Sequence, residues 1–132
     1  MQPADFIGIP FAEGGRDPAH GLDCWGLVAA ASRGLYGIDL PSYAGCYATP
    51  LDYDELRRLI DGEKSAWQPV AIGQERAGDV ALLRVRGRPV HVGLVTAKGW
   101  MLHVEAGCET VQERYDGPQW KRRLIGVYRF QG

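Results

Sequence analysis

Two periodicities divide the chain. Along residues 24–36 the apolar side chains Leu27, Val28, Ala31 and Leu35 recur at the spacing that lines one face of a helix. Asp23 is a favoured N-cap, and Gly34 and Gly37 supply a stop, so a helix is predicted over 24–36. A shorter helix is predicted over Asp52–Ile60. Leu56, Leu59 and Ile60 form its stripe, and its acids precede Arg57 and Arg58, as the helix dipole prefers. Residues 1–22, rich in Gly and Pro, read as a leading segment and a loop. Residues 37–52 read as a loop, and 61–77 as a polar connector around Trp67 and Pro69. From Asp79 onward the pattern shortens into strand-like blocks: Asp79–Arg86, Val90–Thr96, Trp100–Glu105, Glu109–Glu113 and Leu124–Phe130. Turn signals at Gly87, Lys98-Gly99, Gly107 and Asp116-Gly117-Pro118 separate them. Helices followed by a mostly antiparallel sheet define an α+β class, and 132 residues suit a single domain, 1–132.

Composition narrows the partners. A formal net charge of −1 gives no bulk attraction to nucleic acid or anionic lipid, so neither is expected as a partner. No apolar run approaches the roughly 20 residues that span a bilayer. The stretch Met1–Ile7 lacks the basic start and apolar core of a signal peptide. The expectation is synthesis in a reducing cytosol, with another carrier responsible for any work outside it. Three widely spaced cysteines are not a disulfide framework, and without a CxxC pair they do not suggest a zinc ribbon.

The chemistry gathers on Cys24, in the run Gly21-Leu22-Asp23-Cys24-Trp25-Gly26-Leu27-Val28. A free thiol titrates near 8.5, but a helix N-terminus and a nearby imidazolium can bring it to roughly 3.5–7.5. Unpaired N–H groups of the first turn are also suited to an oxyanion, and Gly26 would let a substrate approach the backbone closely. His91, in Pro89-Val90-His91-Val92-Gly93, is the expected base. His103, in Met101-Leu102-His103-Val104, is the expected orienting group. Strand alternation makes their meeting depend on the connection at Lys98-Gly99. A loop of two residues separates them onto opposite faces, three makes them diagonal neighbours, and five makes them direct partners; catalysis therefore requires an odd loop. His20, in the loop before the cysteine, is a candidate for lining the cleft. Cys24, His91 and His103 would also be acceptable zinc ligands, though no local ligand-pair motif supports that reading. Cys46, Cys108, Glu105 and the cluster Lys121-Arg122-Arg123 read as incidental or solvated side chains. The four tryptophans read as core and rim packing.

In order along the chain, Phe11-x-x-Gly14-Gly15, Asp23-Cys24-x-Gly26-Leu27-Val28, Gly78-Asp79-Val80, His91-Val92-Gly93 and His103 resemble the NlpC/P60 family of papain-like cysteine peptidases. The runs Tyr36-Gly37-Ile38-Asp39-Leu40-Pro41, Arg86-Gly87-Arg88-Pro89 and Trp120-Lys121-Arg122-Arg123-Leu124 resemble the short form found in tail gene clusters of phages and gene transfer agents. The resemblance implies a papain-like fold and endopeptidase action on peptidoglycan stem peptides, at the bond between γ-D-glutamate and a diamino acid. It implies catalysis by Cys24, His91 and His103 and no metal or organic cofactor. It also implies delivery by a tail to the periplasm or cell wall, with other tail proteins as partners. Where the family commonly has Ser after the cysteine and Tyr in its first motif, this chain has Trp25 and Phe11; with Asp23, Gly26 and His20 these are the expected substrate-binding positions. Alternatives are a tail-tip structural protein with little activity, and a Cys–His amidase or acyltransferase on the same fold.

Overall fold

The 24–36 periodicity becomes helix α1, Cys24–Tyr36, in a computed structural model that describes residues 1–40, 67–85 and 88–131, with backbone alone at 85 and 88–90. The predicted helix Asp52–Ile60, the loop beyond residue 40, Cys46 and the Arg86-Gly87 turn lie outside the described residues. Asp23 caps α1 by accepting the Gly26 N–H. Gly37, rather than Gly34, ends it: its φ of 65° is the left-handed value that closes a helix at little cost in glycine, and its N–H returns to Arg33 and Ser32.

Among the described residues the strands form two sheets. Within the predicted leading loop, β1 (Arg16–Asp17) pairs antiparallel with β2 (Gly21–Leu22). The larger sheet has six antiparallel strands in the order β3-β8-β4-β5-β6-β7. Its members are β3 (Trp67–Val70), β4 (Val80–Val85), β5 (Arg88–Ala97), β6 (Trp100–His103), β7 (Val111–Arg114) and β8 (Leu124–Phe130). A short 3₁₀ turn at Pro3–Phe6 precedes the first sheet. The described residues are thus α+β, with one helix packed on an antiparallel sheet. Among the described residues no helix is long and apolar enough to cross a membrane.

β3 corrects the connector expected over 61–77. It is four residues long and includes Pro69, so it has little periodicity to read. It survives at the sheet edge, where proline's missing N–H is tolerated. Trp67 anchors it, buried between Trp25 and Phe130. Bonds invisible as patterns tie the strands together. Arg129 on β8 grips both carboxylate oxygens of Asp79 at 2.8 and 2.9 Å, and Tyr115 donates to buried Glu75 at 2.5 Å.

Alternation sorts the sheet into two faces. Val80, Leu82, Val92, Leu94, Leu102 and Val104 share a buried cluster with Cys24, Trp25, Leu27, Val28 and Ala31 of α1. Ala81, Leu83, Val95, Met101 and Val127 cluster instead with Tyr115 and Trp120.

The β5–β6 connection departs from the expected odd loop. It contains only Lys98 and Gly99. Ala97 pairs with Trp100, but Val95 pairs with Met101 and Leu94 with Leu102, so Thr96 is an extra residue on β5. This β-bulge shifts the register by one. Continuing the Leu94–Leu102 register places His103 level with Gly93, diagonal to His91 on the same face. The bulge therefore does what an odd loop was expected to do.

Candidate active site

The N-terminal end of α1 is assembled from residues close in sequence. Asp23, fully buried, accepts from the Gly26 N–H and from the Arg16 guanidinium at 2.6 Å each. Cys24 follows it as the first helical residue, and its side chain is fully buried and not in a disulfide. Two first-turn donors are already spent: Gly26 N–H on the Asp23 carboxylate and Leu27 N–H on the Asp23 carbonyl.

Several expected substrate contacts face inward. Trp25 is fully buried, edge-on to Trp67 with ring centroids 6.0 Å apart, because position 25 falls on the helix face that packs into the core. The charge of Asp23 is met by Arg16, so its described partners belong to the chain itself. A Cβ on Gly26 would lie 2.0 Å from the Gly15 carbonyl oxygen. The small residue makes room for the close approach of Gly15, just before β1. Phe11 bridges to Leu22 and packs partly buried against the α1 cluster. His20 is exposed at the β1–β2 turn, its Nδ1 2.9 Å from Asp17.

The second half of the site is built across the sheet. His91 Nε2 lies 2.8 Å from His103 Nδ1, and His103 Nε2 lies 2.6 Å from Glu113 Oε1 on β7. Trp120 donates its indole N–H to the same oxygen at 2.5 Å, and its ring stacks on His91 with an interplanar angle of 20°. Both imidazoles are buried. Burial, and secondarily the neighbouring His103, push His91 down to about 3. Burial lowers His103 too, against the raising influence of Glu113 and Glu105. The resting pair is therefore neutral, and the burial that leaves His91 without a second proton also disfavours the expected imidazolium that would help ionise the thiol.

The structure thus brings His91 and His103 together on one face, against Trp120. α1 packs on the strands that carry them, β5 and β6, while alternation sends Val92 and Leu94, not His91, into the cluster containing Cys24. The two rings point nitrogens at each other across a hydrogen bond, a geometry opposed to their sharing a zinc ion. Among the described residues no group of three His, Cys, Asp or Glu side chains is arranged to hold a metal.

Two participants were not singled out from the pattern. Glu113 closes the histidine line. Trp120 packs in the core, as its sequence suggests, and also donates to Glu113. Glu113 was legible only through the β6–β7 register: Val111 faces His103, which puts Glu113 two residues along on the same side.

Comparisons with known proteins agree with this architecture. The model of the NlpC/P60 family matches residues 8–129. The chain is 28% identical over 126 residues to the murein DD-endopeptidase MepH of Escherichia coli (strain K12), covering 93% of this chain and 41% of that protein. It is 26% identical over 127 residues to the gamma-DL-glutamyl hydrolase of Bacillus subtilis (strain 168), covering 95% of this chain and 27% of that protein. The chain therefore spans less than half the length of either curated relative. The crystal structure of an NlpC/P60 family protein from Bacillus cereus superposes with a TM-score of 0.69 at 19% identity, over 98% of this chain and 38% of that one.

Proposed function

The chain belongs to the NlpC/P60 family, and from that premise we propose that it is a cysteine peptidase, acting as one catalytic domain on peptidoglycan stem peptides. Cys24 is the nucleophile, His91 the base and His103 the group that orients it. The observation that carries this assignment is the bonded His91–His103 pair on the two strands against which the Cys24 helix packs.

In the reaction, Nδ1 of His91 takes the thiol proton while Nε2 stays engaged with His103. The sulfur attacks the peptide carbonyl, the imidazolium returns the proton to the leaving amine, and water releases the acyl group by the reverse sequence. The relatives' names specify different bonds, one DD and one gamma-DL. We assign the γ-D-glutamyl–diamino acid bond as the target. Mass spectrometry of defined muropeptides tests this directly: the expected product is cut at that bond by the native chain and absent with Cys24→Ala. A product cut at the DD cross-link overturns the bond assignment, and unchanged cleavage by Cys24→Ala overturns the nucleophile. Release of the intact stem peptide from the carboxyl carried by the sugar would instead point to the amidase chemistry open to the same residues.

We further read the carrier as a phage or gene transfer agent tail, on the strength of the Tyr36–Leu40 and Trp120–Leu124 runs. Detection of the chain in purified tail particles is the expected result, and its absence from them overturns the carrier. Full burial of Cys24 favours a second reading, a tail component that keeps the fold with little hydrolase activity. Under the peptidase reading, peptidoglycan fragments should accelerate alkylation of Cys24 relative to exposed Cys108. No acceleration, together with inert sacculi, selects the structural role.

A further inference from the structure

The line of bonds ending at Glu113 dictates where the protons of both imidazoles reside. Its starting point is Trp120, whose indole N–H can only donate. Because that N–H is directed at Glu113 Oε1, this oxygen is an acceptor. His103 Nε2, 2.6 Å from the same oxygen, must then carry a hydrogen and donate it. A neutral His103 has only one ring hydrogen, so its Nδ1 is an acceptor. His91 Nε2, 2.8 Å from that Nδ1, must be the donor, and its own single hydrogen is thereby placed on Nε2. The remaining nitrogen, Nδ1 of His91, holds the lone pair.

We propose that Glu113, held by Trp120, is a positioning residue that acts through His103 to keep His91 as the Nε2–H tautomer, with Nδ1 as the basic nitrogen. The role assigned to Nδ1 rests on the peptidase reading above; the tautomers themselves do not. Both groups sit where the role requires. The Glu113 side chain is 34% exposed while His103 is buried beneath it, so the carboxylate closes the line at the solvent edge. Trp120 is buried, stacked on His91 and edge-on to His103, which fixes ring orientation as well as the acceptor. Reversing either ring's hydrogen would set a donor against a donor or strand a buried nitrogen.

The test is imidazole ¹⁵N NMR on the full chain without substrate, at neutral pH. The native protein is expected to show Nε2–H on both His91 and His103. Glu113→Gln keeps an acceptor oxygen that the Trp120 N–H still orients, so the pattern and most of the turnover should persist. Glu113→Ala removes the acceptor: His91 should become a mixture of tautomers, and kcat should fall about 10²-fold, the lower range of a general base's contribution, with KM little changed. His91 found as Nδ1–H in the native protein overturns the proposal without any variant. Unchanged tautomers in a folded Glu113→Ala protein overturn it equally. Correct tautomers in a chain that hydrolyses nothing would sink the peptidase reading and leave this one standing.

Discussion

The two halves of the candidate site are built by opposite strategies. Around Cys24 the determinants are neighbours in sequence: Gly15, Arg16, Asp23 and Gly26 cap, neutralise and pack one helix end. Around His91 they come from four separated places, His91, His103, Glu113 and Trp120, and depend on how strands slide past one another. The first half leaves no room for added volume at Gly26, and the second depends on strand register. Local assembly sets the helix end that carries the thiol, whereas the long-range line joins side chains from β5, β6 and β7 with Trp120.

Replacing the sulfur should have the largest effect. Cys24→Ala is expected to abolish hydrolysis, a loss on the order of 10⁶-fold when a nucleophile is removed, while circular dichroism and melting stay near native. Next is Gly26→Ala, which sets helix propensity against packing. Alanine is the better helix former by about 1 kcal/mol. Its methyl would nevertheless meet a backbone carbonyl at 2.0 Å, so a net destabilisation of about 1–3 kcal/mol is expected by chemical denaturation. A stabilised variant would mean that the helix end is looser than the comparison supposes.

Acid should act on the other half. The unfolded His91 titrates near its ordinary 6.5, and burial pushes the folded group down to about 3. Between those values the unfolded chain binds the extra proton, so stability is full above 6.5 and is lost as pH falls toward 3. His91→Phe, which keeps a ring against Trp120, should flatten that slope in urea titrations across the same window. An equally steep slope in this variant would assign the acid sensitivity to other groups.

The smallest effect is expected from deleting Thr96. Without the extra residue, the two-residue turn leads directly into the Leu94–Leu102 register, so the histidine pair and the activity should remain. The cost should be about 1 kcal/mol for the lost Gln112–Thr96 bond. Inactivation would show that the bulge itself, and not merely its register, shapes the site.

The same contrast explains what could be read in advance. α1, its Asp23 cap and its Gly37 terminus were legible to the residue, because capping chemistry is local. β8 matched its predicted span, and β4 to β7 were located with ends displaced by a few residues. His91 and His103 could be nominated but not placed, since one bulged residue inverts a strand's faces and leaves no mark in composition. Glu113 stayed hidden for the same reason. Trp25 and Gly26 answer a packing demand that their place beside the cysteine does not show: their size and shape serve the core and the close approach of Gly15.

β8 is the latest strand of the sheet to leave the ribosome, yet it lies inside the sheet, and it is the neighbour that β3 requires. Residues 67–70, made far earlier, have no place to dock until 124–130 arrive. Asp79 likewise waits for Arg129. Closure of the sheet thus waits for residues 124–130, and a nascent chain halted before residue 124 would hold a helix with its thiol but no finished scaffold on which to use it.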